Sequence, residues 1–157
     1  MPDSPDVVVR RAEDCELERV VQLRWVWEAE TDNEPGDRES FVTAAAAWAR
    51  AHRETHIAVT ARGTVVGMAW LALTPRVATT HDLDRWSGDL QSCYVLPSRR
   101  GAGIGSKLVQ AVLASARDRG VEHLTVHTSP EASELYERNG FRTSSRLLWA
   151  DGAVEER

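Results

Sequence analysis

Cysteine is scarce in this 157-residue sequence: Cys15 and Cys93 are its two, and they lie far apart. A disulfide framework needs more sulfurs and a zinc site needs ligands at short spacing, so both are disfavoured; no metal is expected, and a reducing cytoplasm is the implied compartment. Long apolar runs are also lacking. The longest, residues 65–73, has nine residues where a spanning helix needs roughly 20, so it predicts a buried strand and no membrane partner. Residues 1–6 are acidic and carry no signal-peptide hydrophobic region. Positive charge is in deficit, 19 Lys plus Arg against 24 Asp plus Glu for a net charge of -5, which argues against a nucleic-acid partner. Tyr and Phe number only two each beside six tryptophans, and composition alone does not assign those indoles to core or pocket.

What the sequence does contain suits one globular domain over residues 1–157, because 42% hydrophobic and 27% charged residues are enough to build and solvate a single core. Val7 to Val9 reads as a strand, and Asp14 is placed to cap a helix in which Leu17, Val20, Leu23 and Trp27 share one face. An acidic connection over residues 28–39 follows, and Asp37 is placed to cap a second helix with Phe41, Ala44, Ala45 and Trp48 in register. Residues 56–61 and 64–73 read as a β-hairpin turning at Arg62-Gly63, residues 74–87 as a long loop, and residues 90–95 as a strand. A helix from Ile104 towards Gly120, a strand over residues 123–128, a short helix over 131–138 and a last strand over 147–150 complete the order. An early hairpin followed by helix-linked strands implies a mixed sheet.

The informative stretch joins the strand to the helix: Leu96-Pro97-Ser98-Arg99-Arg100-Gly101-Ala102-Gly103-Ile104-Gly105-Ser106-Lys107. Glycines there let successive N–H groups converge, a helix N-terminus adds partial positive charge, and Arg99 and Arg100 are expected to add full charges, so phosphate is the ligand indicated. A P-loop is excluded because Ser106 separates Gly105 from Lys107. The dinucleotide fingerprint is excluded because Ser106 stands where a third Gly or Ala is needed.

With Arg100, Gly103 and Gly105 in the pattern Gln/Arg-x-x-Gly-x-Gly/Ala, and Leu135-Tyr136 before Asn139-Gly140-Phe141, the chain resembles the GNAT superfamily of N-acetyltransferases along nearly its whole length. The resemblance implies a single-domain α/β (α+β) fold, a mixed central sheet of about six to seven strands flanked by helices. It implies acetyl-CoA as co-substrate and a small-molecule or peptide amine as acceptor, and a homodimer is common among such proteins. By the same resemblance Arg100, Gly101, Ala102, Gly103, Ile104, Gly105 and Ser106 would hold the pyrophosphate, and Tyr94 and Val95 would offer main-chain contacts to the pantetheine arm. Tyr136 matches the proton donor to the leaving thiolate, and Asp89 stands where some members carry a base, acting here through water. The asparagine that many members place after the fifth strand is replaced by Thr128-Ser129-Pro130.

The acceptor region implied by the resemblance contains Trp25, Trp27, Glu28 and Trp86 with the acidic run, a combination that would attract a small cationic amine. The same residues also fit a solvated acidic loop beside ordinary core indoles. Trp48 and Trp70 read as core and Trp149 as part of the last strand. Cys93 has no histidine partner visible in the sequence and reads as a small buried hydrophobe, not a nucleophile. A non-catalytic acetyl-CoA-binding or sensor module of the same fold is the alternative function.

Overall fold

The computed structural model describes residues 6–31, 34–51, 54–60 and 62–152. Asp32 of the acidic run, Ala61 of the predicted hairpin and residues 1–5 lie outside them. Five strands form one sheet in the order β1 (Val7–Arg11), β2 (Thr55–Thr60), β3 (Val65–Arg76), β4 (Arg85–Val95) and β5 (Val121–Val126). The first four run antiparallel, and β5 joins β4 in parallel. Helices α1 (Leu17–Glu30) and α2 (Arg38–Ala51) cover one face, while α3 (Ile104–Asp118) and the short α4 (Ser133–Arg138) cover the other. The mixed sheet between helical layers is the predicted architecture. Among the described residues no helix is long and apolar enough to cross a membrane, and no group of three or more His, Cys, Asp and Glu side chains is placed to hold a metal.

β3 feeds both cores, with alternation shifted by an extra residue at Val66 where its register with β2 slips. Val66, Ala69 and Leu71 pack under α3 with Leu90, Leu108, Val109 and Val112, while Val65 and Met68 pack under α1 with Val20, Leu23 and Ile57. The predicted apolar face of α1 is the buried one, with Val21 added. Asp37 caps α2 by accepting the Ser40 N–H at 2.9 Å. Asp14 does not cap α1; it lies in a short 3₁₀ turn, Asp14–Glu16, that feeds the helix. The hairpin turns at Arg62-Gly63 as expected, with Gly63 at φ +81.

Two readings need correction. Residues 74–87 are not one long loop, because β3 and β4 extend as a ladder to the pair Arg76 and Arg85. Those like charges face each other because Glu122 on β5 takes both, at 2.7 Å each. Nor do residues 147–150 form a strand. Leu147, Leu148 and Trp149 are exposed, and the Trp149 ring lies 6.4 Å from His127. The described sheet therefore has five strands, where six to seven were expected.

The entry to α1 is pinned by a half-buried charge pair. Glu16 accepts from Arg10 at 2.6 and 2.9 Å and from the Glu13 N–H at 2.8 Å, which holds its carboxyl down from 4.5 to about 2. Because the folded value is depressed, this stabilisation is complete above about pH 4.5 and fades as pH falls towards 2. It amounts to roughly 2–3 kcal/mol at neutral pH, allowing for screening around the more exposed Arg10. In urea unfolding across pH 2.5–7, Glu16→Gln should lose that amount at pH 7 and show a flatter loss of stability below pH 5. Parallel pH profiles for both proteins would exclude the pair as a source of acid sensitivity.

Candidate active site

An extra residue in β4 organises the site. Met68 pairs with Tyr94 but Trp70 pairs with Gln91, so Ser92 and Cys93 together face the single residue Ala69. Ser92 accordingly adopts φ +50, a β-bulge conformation that a serine rarely takes. The bulge resets which side chains face which way. Leu90 and Cys93 both pack against the α3 layer, whereas Gln91 and Ser92 line a cleft under α1 and α2, and Tyr94 packs against Trp27 of α1. Just before the bulge β4 also leaves β5, since their ladder ends at Leu90 and Val126. Gln91 to Val95 therefore have no β5 partner on that side, and an extended ligand can pair there as an added strand.

Beyond this edge the chain makes a 3₁₀ turn, Pro97–Arg99, and then the glycine turn. Gly101 and Gly103 both lie at φ +81, and Gly103 occupies the N-cap of α3 with no side-chain cap. The first-turn N–H groups of a 15-residue helix thus open beside the splayed strands, which suits an anion such as a pyrophosphate. The two arginines preceding the turn are used differently from the expectation. Arg99 pairs with Asp6 at 3.0 Å. Arg100 binds Glu30 through both terminal nitrogens at 2.9 and 3.2 Å, donates from Nε to the Val95 carbonyl at 2.9 Å, and stacks over Tyr94. Its side chain braces the turn against the end of α1. Tyr94 donates its hydroxyl proton to the same Glu30 at 2.5 Å, and burial with that carboxylate pushes the phenol up to about 12.

On the α3 side, Tyr136 is buried in the core cluster against which Cys93 packs, with its ring edge-on to Phe141 at 5.6 Å. Burial and the thiol push the phenol above its usual range, and burial lifts Cys93 to about 11. Both are neutral at physiological pH, so Cys93 is no activated nucleophile. Asn139, at the end of α4, donates to Ser106 Oγ at 3.1 Å and accepts from Gln110 at 2.7 Å. The glycine turn and the phenol are thereby joined in one frame. Asp89 lies on the opposite side of β4, accepting from Gln91 at 2.9 Å and Thr125 at 2.8 Å, so it reaches the cleft through Gln91.

A model of the acetyltransferase (GNAT) family matches residues 17–141. The chain belongs to that family. Among curated relatives it is 30% identical over 89 residues to a glucosamine 6-phosphate N-acetyltransferase of Trypanosoma brucei brucei, covering 57% of this chain and 58% of that one. Two further curated relatives are covered over 45% and 48%, so the matches span about half the length of these proteins. A solved Trypanosoma brucei acetyltransferase shares 26% identity with a TM-score of 0.69 over 93% of this chain and 99% of its own. A predicted acetyltransferase of Clostridium acetobutylicum, solved with acetyl-CoA, shares the fold at a TM-score of 0.71 with 17% identity, covering 92% and 96%.

Within this GNAT frame the site residues named from sequence divide. Tyr94, Val95, residues 100–106 and Tyr136 surround the open edge of β4 and the start of α3. The acceptor candidates do not converge. Trp25 bonds the Gly36 carbonyl at 3.0 Å under Arg38, Trp27 stacks on Tyr94 at 5.1 Å, and Glu28 pairs with Arg24 at 3.2 Å. Trp86 bonds Asp84 at 2.7 Å near the start of β4, roughly 20 Å along the strand from Ser92. Trp48 and Trp70, read as core, instead line the cleft. Glu30, Ser92 and Asn139 escaped the sequence reading: the Glu30–Arg100 pair spans 70 positions, and nothing marks a serine for a bulge. Asn139 alone carried a signal, its place in the Asn-Gly-Phe turn.

Gly103→Ala tests the turn. An added Cβ at Gly103 meets nothing within 4 Å, so the cost is backbone strain of about 1–2 kcal/mol. Denaturant unfolding should show that loss, and calorimetric titration with coenzyme A should show weaker binding. Weakened folding with unchanged coenzyme A affinity would remove the turn from the ligand site.

Proposed function

We propose that the protein is an N-acetyltransferase that moves the acetyl group of acetyl-CoA to a small cationic primary amine by direct attack. The observation that carries this reading is Tyr136: a neutral phenol beside the open edge of β4, tied through Asn139 and Ser106 to the glycine turn. Such a phenol can protonate a departing thiolate. An unpaired β4 N–H beside the bulge can stabilise the oxyanion, and the residue 100–106 turn suits the pyrophosphate. Acetyl-CoA supplies the activated acyl group as a thioester.

The acceptor arrives as its ammonium ion, which a protein of net charge -5 attracts over distance. It must then lose a proton before it attacks, and Asp89, linked to the cleft by Gln91, is the base this reading assigns, through water. The non-catalytic alternative has no comparable use for a neutral phenol at an open strand edge. Two unpaired thiols, Cys15 and Cys93, suit the cytoplasm as the compartment.

Thiol release from acetyl-CoA in the presence of primary amines tests the reading. Tyr136→Phe should lower kcat by about 10²-fold or more while leaving coenzyme A affinity and the melting temperature near those of the parent protein. An unchanged kcat would take the proton-donor role from Tyr136. The pH profile gives a second check, because the raised phenol stays protonated throughout the accessible range. The rate should climb between pH 6 and 9 as the amine loses its proton, with no descending limb up to pH 10. A descending limb centred below pH 9 would contradict a phenol held neutral by its surroundings.

A further inference from the structure

Resting on the acetyltransferase reading, we propose that the acceptor is a monoamine whose non-reacting part is a flat apolar group, an arylalkyl amine in kind, seated against Trp48 and Trp70. The cleft between α1, α2 and the β3–β4 pair has a volume of about 210 Å³, below the range usual for drug-sized ligands, so it suits one ring and a short chain. Phe41, Trp48, Met68 and Trp70 supply its apolar wall. The two indoles stand 5.8 Å apart at 45°, a half-open wedge. Trp48 is 54% exposed although it sits over this cavity, and covering such a ring with a second aromatic group is favourable.

The polar groups of the sheet adjoin the indoles, since Gln91 is the cross-strand partner of Trp70. Gln91 and Ser92 reach the cleft from the bulge, next to Cys93 and hence to Tyr136 on the other face. An amine on Gln91 and Ser92 with the ring on the neighbouring indoles places nitrogen at the open strand edge. No carboxylate is among the described residues lining the cleft, so none of them compensates a second ammonium group. Arg24 is the one charged residue among the described lining residues, and its Nε is bonded to Glu28 with the guanidinium stacked over Trp27 at 4.8 Å. A sugar phosphate or an amino-acid carboxylate would compete with Glu28 for that guanidinium.

The test compares kcat/KM for 2-phenylethylamine, spermidine, phenylalanine and glucosamine 6-phosphate by thiol release from acetyl-CoA. The first should exceed each of the others at least tenfold. Trp48→Ala should raise its KM about tenfold while leaving the KM for acetyl-CoA and the melting temperature unchanged. A higher value for any of the other three, or a KM for 2-phenylethylamine indifferent to Trp48, would overturn the proposal. If coenzyme A binds but no amine releases thiol, the transferase reading fails, and calorimetry of 2-phenylethylamine with coenzyme A present decides the cleft by itself. Binding lost in Trp48→Ala would then uphold the aromatic seat, and no binding to the parent protein would overturn it.

Discussion

Side-chain alternation along a strand is a parity rule, and the bulge at Ser92 breaks it once, at the place where the two faces of the sheet must cooperate. Without the extra residue Leu90, Ser92 and Tyr94 would share a face. With it, Cys93 turns towards Tyr136 while Tyr94 turns towards α1, so one short stretch of β4 touches the proposed acid on one side and the cleft on the other. The divergence from β5 after Leu90 exposes the same stretch to a ligand. The proposed transfer suits this arrangement, because the acceptor must reach the donor's carbonyl carbon from a side that the donor leaves open.

Electrostatics follow the same economy. The expectation of a strongly cationic phosphate turn fails, since Arg99 and Arg100 are both held by carboxylates. What remains at the turn is oriented backbone: uncapped N–H groups behind two glycines at φ +81. The Arg100–Glu30 pair then acts as a strut from α1 to the turn. Its hydrogen bonds to Glu30 and to the Val95 carbonyl, with Tyr94 donating to the same carboxylate, fix the distance between the helix that borders the cleft and the turn that suits the donor. Arg100 matches the motif, yet its side chain works as a brace.

Local chemistry was legible in the sequence; contacts at long separation were not. The α1 face, the Asp37 cap, the Arg62-Gly63 turn and the glycine-opened α3 each follow from residues within a few positions of one another, and each is present. The extension of β3 past Pro75 was hidden because it depends on Glu122, about 46 positions beyond Arg76, neutralising two facing arginines. The sorting of the tryptophans failed for a similar reason. Helical spacing puts Trp48 on the same face as Phe41 and Ala45, but only the placement of β3 decides whether that face closes over a core or roofs a cavity. The last strand read from residues 147–150 shows the reverse error, since an apolar run implies burial only where another surface reaches it.

An amine acetyltransferase faces two opposed demands: its acceptor travels as a cation and reacts as a neutral base. Net negative charge serves the first and would hinder the second if carboxylates lined the pocket, because a nearby anion stabilises the ammonium form. Here three charges of the acidic connection are held away from the cleft, Glu28 by Arg24, Glu30 by Arg100 and Asp37 by the α2 terminus. Most of the described wall is apolar, with Gln91 and Ser92 at the bulge. Moving an ammonium group into such surroundings lowers its pKa, so loss of its proton becomes easier at the bulge, where Gln91 leads to Asp89. In the proposed transfer, long-range attraction and local desolvation would act in sequence on the same nitrogen, and an apolar acceptor body would supply the binding energy that offsets taking its charge out of water.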